Sequence, residues 1–243
     1  MDPVAFQLFG LEIRWYGVLM AVGILLGMFL AIREGKRQGI SEDSMLDIFI
    51  WSIPFGIIGA RTYYVIFNWD YYQGDFLKMI NTRQGGMAIH GALIGGILAG
   101  YILCKLKKID FISMLDIVAP SFSIGQAIGR WGNFINKEAH GGPTNLPWGI
   151  IVDGQKVHPT FLYESIWDFA LFIFLLHISK KKKYKGQVFV LYAIIYSVGR
   201  FFIEGLRTDS LMIGPIRTAQ LISLGSVIAG CLLHFYWKKK NRV

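Results

Sequence analysis

Seven apolar stretches, at roughly 15–32, 46–67, 87–104, 111–129, 161–178, 187–206 and 216–237, constrain this chain more than any other feature. Each is long enough, or nearly so, to cross a hydrocarbon core about 30 Å thick, which takes about 17–25 helical residues. Lipid offers no partner to a backbone N–H or C=O, so segments of this kind satisfy themselves as helices. Composition agrees: 53% of the residues are hydrophobic without counting glycine, against about 45–50% with glycine in a soluble domain. The expectation is an all-α, polytopic protein with seven transmembrane helices, residues 1–243 forming a single integral membrane domain.

The formal charge of +9 does not point to nucleic acid, because the basic residues sit in short clusters beside the apolar runs and no soluble domain is left to carry a binding face. More than half of them fall in alternate connections: Arg33, Lys36 and Arg37; Lys105, Lys107 and Lys108; Lys180 to Lys183 with Lys185; and the tail with Lys238 to Lys240 and Arg242. The positive-inside rule makes those connections cytoplasmic, the N-terminus external and the C-terminus cytoplasmic. Asp2 and Glu12 precede the first apolar run and Arg33, Lys36 and Arg37 follow it, the reverse of a cleavable signal peptide, so it is expected to remain as the first span. Cys104 and Cys231 lie inside apolar runs without paired spacing and read as small hydrophobic residues. Glycines four apart, Gly91/Gly95, Gly96/Gly100 and Gly125/Gly129, suit close helix contacts in lipid. Trp69, Tyr71, Tyr72, Trp131 and Trp148 fall in the two longer outer loops, at the level of the headgroups.

Charges inside spans are expensive and need a partner, a water-filled cavity or a route to the interface. Tyr196, Arg200 and Glu204 repeat every fourth residue and share one face of the sixth span, with Arg207 just beyond. Arg61, His90, Arg130, Glu164, Asp168 and Tyr16 all fall toward the same outer side on this topology. Arg61 has two readings, a pair with Glu164 or Asp168 that holds helices together and a member of a polar site. His90 is either a packing histidine or an acid–base group. Arg200 with Glu204 forms a structural ion pair or, together with Tyr196 and Arg207, a binding stripe. His140 and His158 lack metal-ligand spacing, and the seventh run carries no lysine for a retinal Schiff base. An outward cavity with several arginines suits the phosphate of an anionic phospholipid, which guanidinium N–H donors recognise in pairs.

The densest polar segment is Gly129-Arg130-Trp131-Gly132-Asn133-Phe134-Ile135-Asn136-Lys137-Glu138-Ala139-His140-Gly141, expected where the fourth span gives way to a loop. It matches the Gly-Arg-x-Gly-Asn-Phe-x-Asn-x-Glu-x-x-Gly signature of bacterial prolipoprotein diacylglyceryl transferases at every fixed position. Arg14-Trp15-Tyr16-Gly17, Gly85-Gly86-Met87-Ala88-Ile89-His90-Gly91, His158-Pro159-Thr160 with Leu162-Tyr163-Glu164, and Tyr196 with Arg200, Glu204 and Arg207 follow in the family's order. The chain therefore resembles that family over nearly its whole length, with one departure at Ala92, where glycine is common.

The resemblance implies a multi-pass enzyme of the bacterial inner membrane that moves the diacylglyceryl group of phosphatidylglycerol onto the lipobox cysteine of a preprolipoprotein signal peptide. Glycerol phosphate is released. Such a reaction needs a thiol deprotonated and charge stabilised on the departing oxygen. On this basis His90, Arg130 and Arg200 are the expected catalytic residues, with His90 taking the thiol proton. Arg130, Asn133, Asn136, Glu138, Gly141, Tyr16, Tyr196 and Arg200 are expected to bind phosphatidylglycerol, and Arg61, Glu204 and Arg207 to stand behind them or gate the site. No cofactor or metal is implied, because the lipid phosphate is the leaving group. The rival reading is a lipid or solute transporter, which also buries charge between glycine-lined helices. Transporters carry inverted repeats or broken helices with midplane sites, neither of which the sequence displays.

Overall fold

The computed structural model describes residues 2–82 and 85–240. Among them are seven helices of membrane-spanning length: α1 (Trp15–Arg37), α2 (Glu42–Phe67), α5 (Ile89–Leu106), α6 (Phe111–Ile135), α7 (Thr160–Ser179), α8 (Gln187–Glu204) and α9 (Thr218–Lys240). Two short helices, α3 (Trp69–Tyr72) and α4 (Phe76–Ile80), follow α2. The protein is mostly helical, but its connections also hold three antiparallel hairpins: β1 (Val4–Leu8) with β2 (Leu11–Arg14), β3 (Ile150–Val152) with β4 (Gln155–Val157), and β5 (Met212–Ile213) with β6 (Ile216–Arg217). Loops outside the hydrocarbon have no need to be helical, and the first two turns reverse through a left-handed pair, Phe9-Gly10 and Asp153-Gly154.

The chain packs as two compact units, one comprising residues 1–31 and 115–243, the other residues 32–114. In the second unit α2 and α5 meet backbone to backbone. A Cβ on Gly91 would enter the side chain of Tyr63 and the carbonyl of Gly59, and one on Gly95 would lie 3.1 Å from the Phe55 carbonyl carbon. Gly96 and Gly100 face Ser52. Small residues thus let two helices approach where no hydrophobic force between helices operates in lipid.

In the first unit α1 lies on α6, with Gly23 facing Gly125 and Gly129 facing Met20, and Ser121 Oγ donates to the Gly27 carbonyl at 2.7 Å. Helices α7 and α8 pack around Ala119, Leu171, Leu175 and Val188. Trp167 Nε1 donates to the Ile195 carbonyl at 3.0 Å over Gly199, where any side chain would meet the indole. Asp116 is fully buried, with none of its surface exposed. Its carboxylate accepts from the Gly186 and Phe189 amides at 2.9 and 3.0 Å, and Lys182 Nζ lies 3.2 Å away. It closes the N-terminus of α8, where free amides and the helix dipole favour an anion.

Candidate active site

Helix α6 carries the signature outward. It runs six residues past the boundary expected at Gly129, because glycine retains its N–H, and Asn136 N–H still donates to the Gly132 carbonyl at 3.0 Å. The end comes at Lys137, with φ 55°. There Lys137 N–H donates to Phe134 (3.1 Å) and Glu138 N–H to Asn133 (3.0 Å), the paired bonds of a Schellman closure. Arg130 and Asn133 are therefore helical residues, held at fixed angles, rather than loop residues. Gly132 leaves room for Tyr16: a Cβ there would lie 3.1 and 3.3 Å from ring atoms Cε2 and Cγ.

The remaining polar residues of the signature bond among themselves. Asn133 Nδ2 and Asn136 Nδ2 both donate to Glu138 Oε1, at 2.9 and 3.3 Å. Gly141 has no positive φ; its missing side chain permits close approach instead. A Cβ there would lie 2.6 Å from His158 Cβ and 3.0 Å from the Leu206 carbonyl oxygen, and Gly141 forms a β-bridge with Arg207. The signature is thereby tied to the segment after α8. A cavity of about 120 Å³ opens beside Glu138, bounded by Phe134, His140, Ile150 and Phe161.

Helix α7 supplies the residue at the centre. Glu164, 5% exposed, pairs through Oε2 with Arg130 Nε and through Oε1 with Arg200 Nη1, the latter at 2.5 Å. Arg200 Nη2 pairs with Glu204 Oε2 at 2.5 Å, and Arg207 Nη1 and Nε stand 3.9 and 3.8 Å from Glu164 and Glu204. Three guanidiniums from α6, α8 and the following loop thus converge on two carboxylates. Packing sets the register of α7 on α6: Phe134 stacks on Phe161 with centroids 4.4 Å apart, Trp131 Nε1 donates to Ser165 Oγ at 3.1 Å, and Ser123 Oγ to the Asp168 carbonyl at 2.7 Å. Asp168 is one turn from Glu164 and 2% exposed, and its Oδ2 has no hydrogen-bond partner among the described residues. Tyr196 is stacked on Tyr192 at 5.8 Å, one turn before Arg200 on α8.

Each guanidinium has five N–H donors. The described contacts engage one on Arg130 and two on Arg200, leaving N–H groups for an incoming anion. Arg207 also makes a two-pronged bond to Asp209, at 3.0 and 2.9 Å. That bond holds the Asp209 carboxyl below the usual carboxylate range. Burial works against the charge on Arg207, but its bond to Asp209 and the nearby charges of Asp209, Glu164 and Glu204 together outweigh it, so the guanidinium is held more firmly protonated than in water.

Arg61 and His90 belong to the second unit. Arg61 reaches no carboxylate among the described residues: Nη2 donates to Lys78 (2.6 Å), Nε to Met79 (2.8 Å) and Nη1 to Gly85 and Gly86 (both 2.9 Å), all backbone carbonyls. Its guanidinium carbon also lies 4.9 Å from the centre of the Tyr72 ring. Arg61 instead fixes the loop that leads to α5. Gly85 and Gly86, at φ 88° and 80°, keep that loop out of helix, so α5 starts at Ile89 and His90 lies in its first turn. The His90 ring is exposed and 5.9 Å from that of Tyr63.

Sequence reasoning missed Glu164 as a site residue, although the i, i+4 pair Glu164/Asp168 in an apolar run was a readable signal. Lipid-length helices and an arginine–carboxylate cluster gathered toward the ends of α6, α7 and α8 define a multi-pass membrane protein with a largely buried polar cluster.

The chain belongs to the prolipoprotein diacylglyceryl transferase family, whose sequence model matches residues 3–236. A phosphatidylglycerol–prolipoprotein diacylglyceryl transferase of Clostridioides difficile (strain 630) is 64% identical, the match covering 100% of this chain and 98% of the relative. One from Finegoldia magna is 52% identical over 99% and 97%, and one from Clostridium novyi 50% over 100% and 98%. The protein is an integral membrane transferase.

Proposed function

We propose that the cluster around Glu164 receives the phosphate of phosphatidylglycerol, and that the whole chain, as one integral membrane catalytic domain, transfers the diacylglyceryl group of that lipid to a preprolipoprotein in the bacterial inner membrane. The lipobox cysteine sulfur attacks the glycerol carbon next to the phosphate. A C–S bond forms, the C–O bond breaks, and the electron pair leaves with the oxygen of glycerol phosphate. The thioether product begins lipoprotein maturation. The observation that carries this reading is the convergence of Arg130 and Arg200, from separate helices, on one buried carboxylate with donors to spare.

Arg130 and Arg200 hold the phosphate and stabilise charge on the departing oxygen. His90 accepts the thiol proton, an assignment supported by its imidazole chemistry and its exposure in the first turn of α5. Tyr16, seated on Gly132, and Tyr196, beside Arg200, are placed to donate to the headgroup. Asn133 and Asn136 orient it through Glu138, Gly141 carries the backbone link to Arg207, and Glu204 with Arg207 supports Arg200. The site faces outward, with the N-terminus external and the C-terminus cytoplasmic. Support for this comes from the basic last turns of α1, α5 and α9 and the lysines after α7.

The test is purified protein in nanodiscs containing phosphatidylglycerol, given a lipobox peptide and followed by mass spectrometry. A peptide gaining one diacylglyceryl group, with glycerol phosphate released in equal amount, is expected; a peptide with serine in place of cysteine stays unmodified. His90→Gln binds the lipid and forms no thioether. Near-normal turnover by that variant removes His90 from the role of base.

A further inference from the structure

We propose that the β1–β2 hairpin is an interfacial anchor, lying flat on the lipid with its apolar face in the headgroup–acyl boundary. Its register pairs Phe6 with Ile13, Gln7 with Glu12 and Leu8 with Leu11. Residues directly opposite share a face, so Phe6, Leu8, Leu11 and Ile13 form one apolar side and Gln7 with Glu12 the polar side. The described residues leave much of the apolar side open: Phe6, Leu8 and Leu11 are each about half exposed, and Phe9 at the tip is 96% exposed. Phe9 also holds φ 49° in the turn, a conformation that suits asparagine or glycine and disfavours a bulky side chain.

An apolar sheet face outside the spans requires a cover, and continuity identifies it as lipid. Arg14 ends β2 and Trp15 begins α1 without an intervening loop, and Trp15 N–H donates to the Pro3 carbonyl at 3.0 Å. The hairpin is thus fixed to the mouth of a helix of membrane-spanning length whose Val22, Ile24, Leu25 and Phe29 are exposed. A ribbon with an aromatic tip, one apolar face and one polar face has the character of elements that lie in the interface plane. Such an anchor sets the depth of the first turn of α1, which carries Tyr16 against Gly132.

The test places nitroxide labels, one at a time, on cysteines at positions 7, 8, 9, 11 and 12 in protein whose Cys104 and Cys231 have been changed to alanine, in phosphatidylglycerol nanodiscs. Collision rates with oxygen and with a water-soluble nickel chelate are then measured. At 8, 9 and 11 oxygen collisions are expected to exceed those of the chelate several-fold, with the order reversed at 7 and 12. Chelate-accessible labels at all five positions place the hairpin in water and overturn the proposal. Exclusion of both probes at 8, 9 and 11 shows a protein cover, and oxygen preference at all five shows immersion; each overturns it as well. Positions 8 and 11 lie outside the turn, so the reading survives a disturbed turn in Phe9→Cys.

Discussion

Glu164→Gln separates two consequences of placing a carboxylate between the phosphate-binding arginines. The wild-type side chain accepts from Arg200 Nη1 with Oε1 and is ion-paired to Arg130 Nε through Oε2, and all three groups are largely withdrawn from solvent. Glutamine keeps one acceptor and turns an NH2 toward the second guanidinium, so one charge-assisted hydrogen bond is replaced by a donor–donor contact. Such a bond contributes about 1.5–3 kcal/mol. At 1.36 kcal/mol per decade, a loss of about 2–3 kcal/mol in the positioning of one arginine is a fall of about 30- to 150-fold in turnover. Ground-state affinity for the lipid moves the other way or stays level, because the uncharged amide no longer competes with phosphate for the guanidiniums. The assay is the initial rate of peptide diacylglyceration against the mole fraction of phosphatidylglycerol, with thermal unfolding as a check on folding. A lower kcat with an unchanged or lower KM is expected. A higher KM with kcat unchanged would show that Glu164 serves only uniform binding, and turnover within about twofold of wild type would refute the positioning argument.

Arg130→Lys and Arg200→Lys are each expected to restore little of the activity lost in the corresponding alanine variants, because an ammonium cannot reproduce the planar fork of N–H donors; the peptide mass assay reads this directly. Asp116→Ala leaves the amides of Gly186 and Phe189 without their buried acceptor. It should lower unfolding stability by about 3–5 kcal/mol, read by thermal unfolding, while folded molecules keep their transfer rate. Asp209, whose carboxyl is held low by Arg207, binds fewer protons folded than unfolded. Its contribution is therefore present above the unfolded carboxylate pKa of about 3.9 and fades as pH falls through the lower folded value. Amide exchange in the segment after α8 should be insensitive to this pair from about pH 5 upward and accelerate below it, and Asp209→Asn should abolish that acid step.

The spans were legible because bilayer thickness fixes their length: α5, α7 and α8 begin and end within two residues of the boundaries read from hydropathy. The stripe Tyr196, Arg200, Glu204 was legible too, since helical geometry places every fourth residue together, and Arg200 and Glu204 do pair. Tertiary choices were not. Arg61, Arg130 and Arg200 all lie toward the same ends of their helices, and no local pattern tells which of them meets Glu164. The structure gives it to Arg130 and Arg200 and spends Arg61 on four carbonyls. The role of Asp116 has no local signal because its partners lie about seventy residues on, in the Gly186–Phe189 turn. The hairpins escaped an all-α expectation because hydropathy windows average over short strands, although Asp153-Gly154 carries a recognisable turn signal.

Catalysis on this geometry turns on the guanidiniums of Arg130 and Arg200 closing around a single lipid phosphate. Magic-angle-spinning NMR of protein with isotope-enriched arginine side chains in phosphatidylglycerol bilayers measures it, by dephasing of guanidinium nitrogen signals through the lipid phosphorus. Contact-range dephasing is expected for two resonances that vanish one at a time in Arg130→Lys and Arg200→Lys. Dephasing that persists in both variants, or that is confined to basic residues near the cytoplasmic ends of the helices, would contradict it.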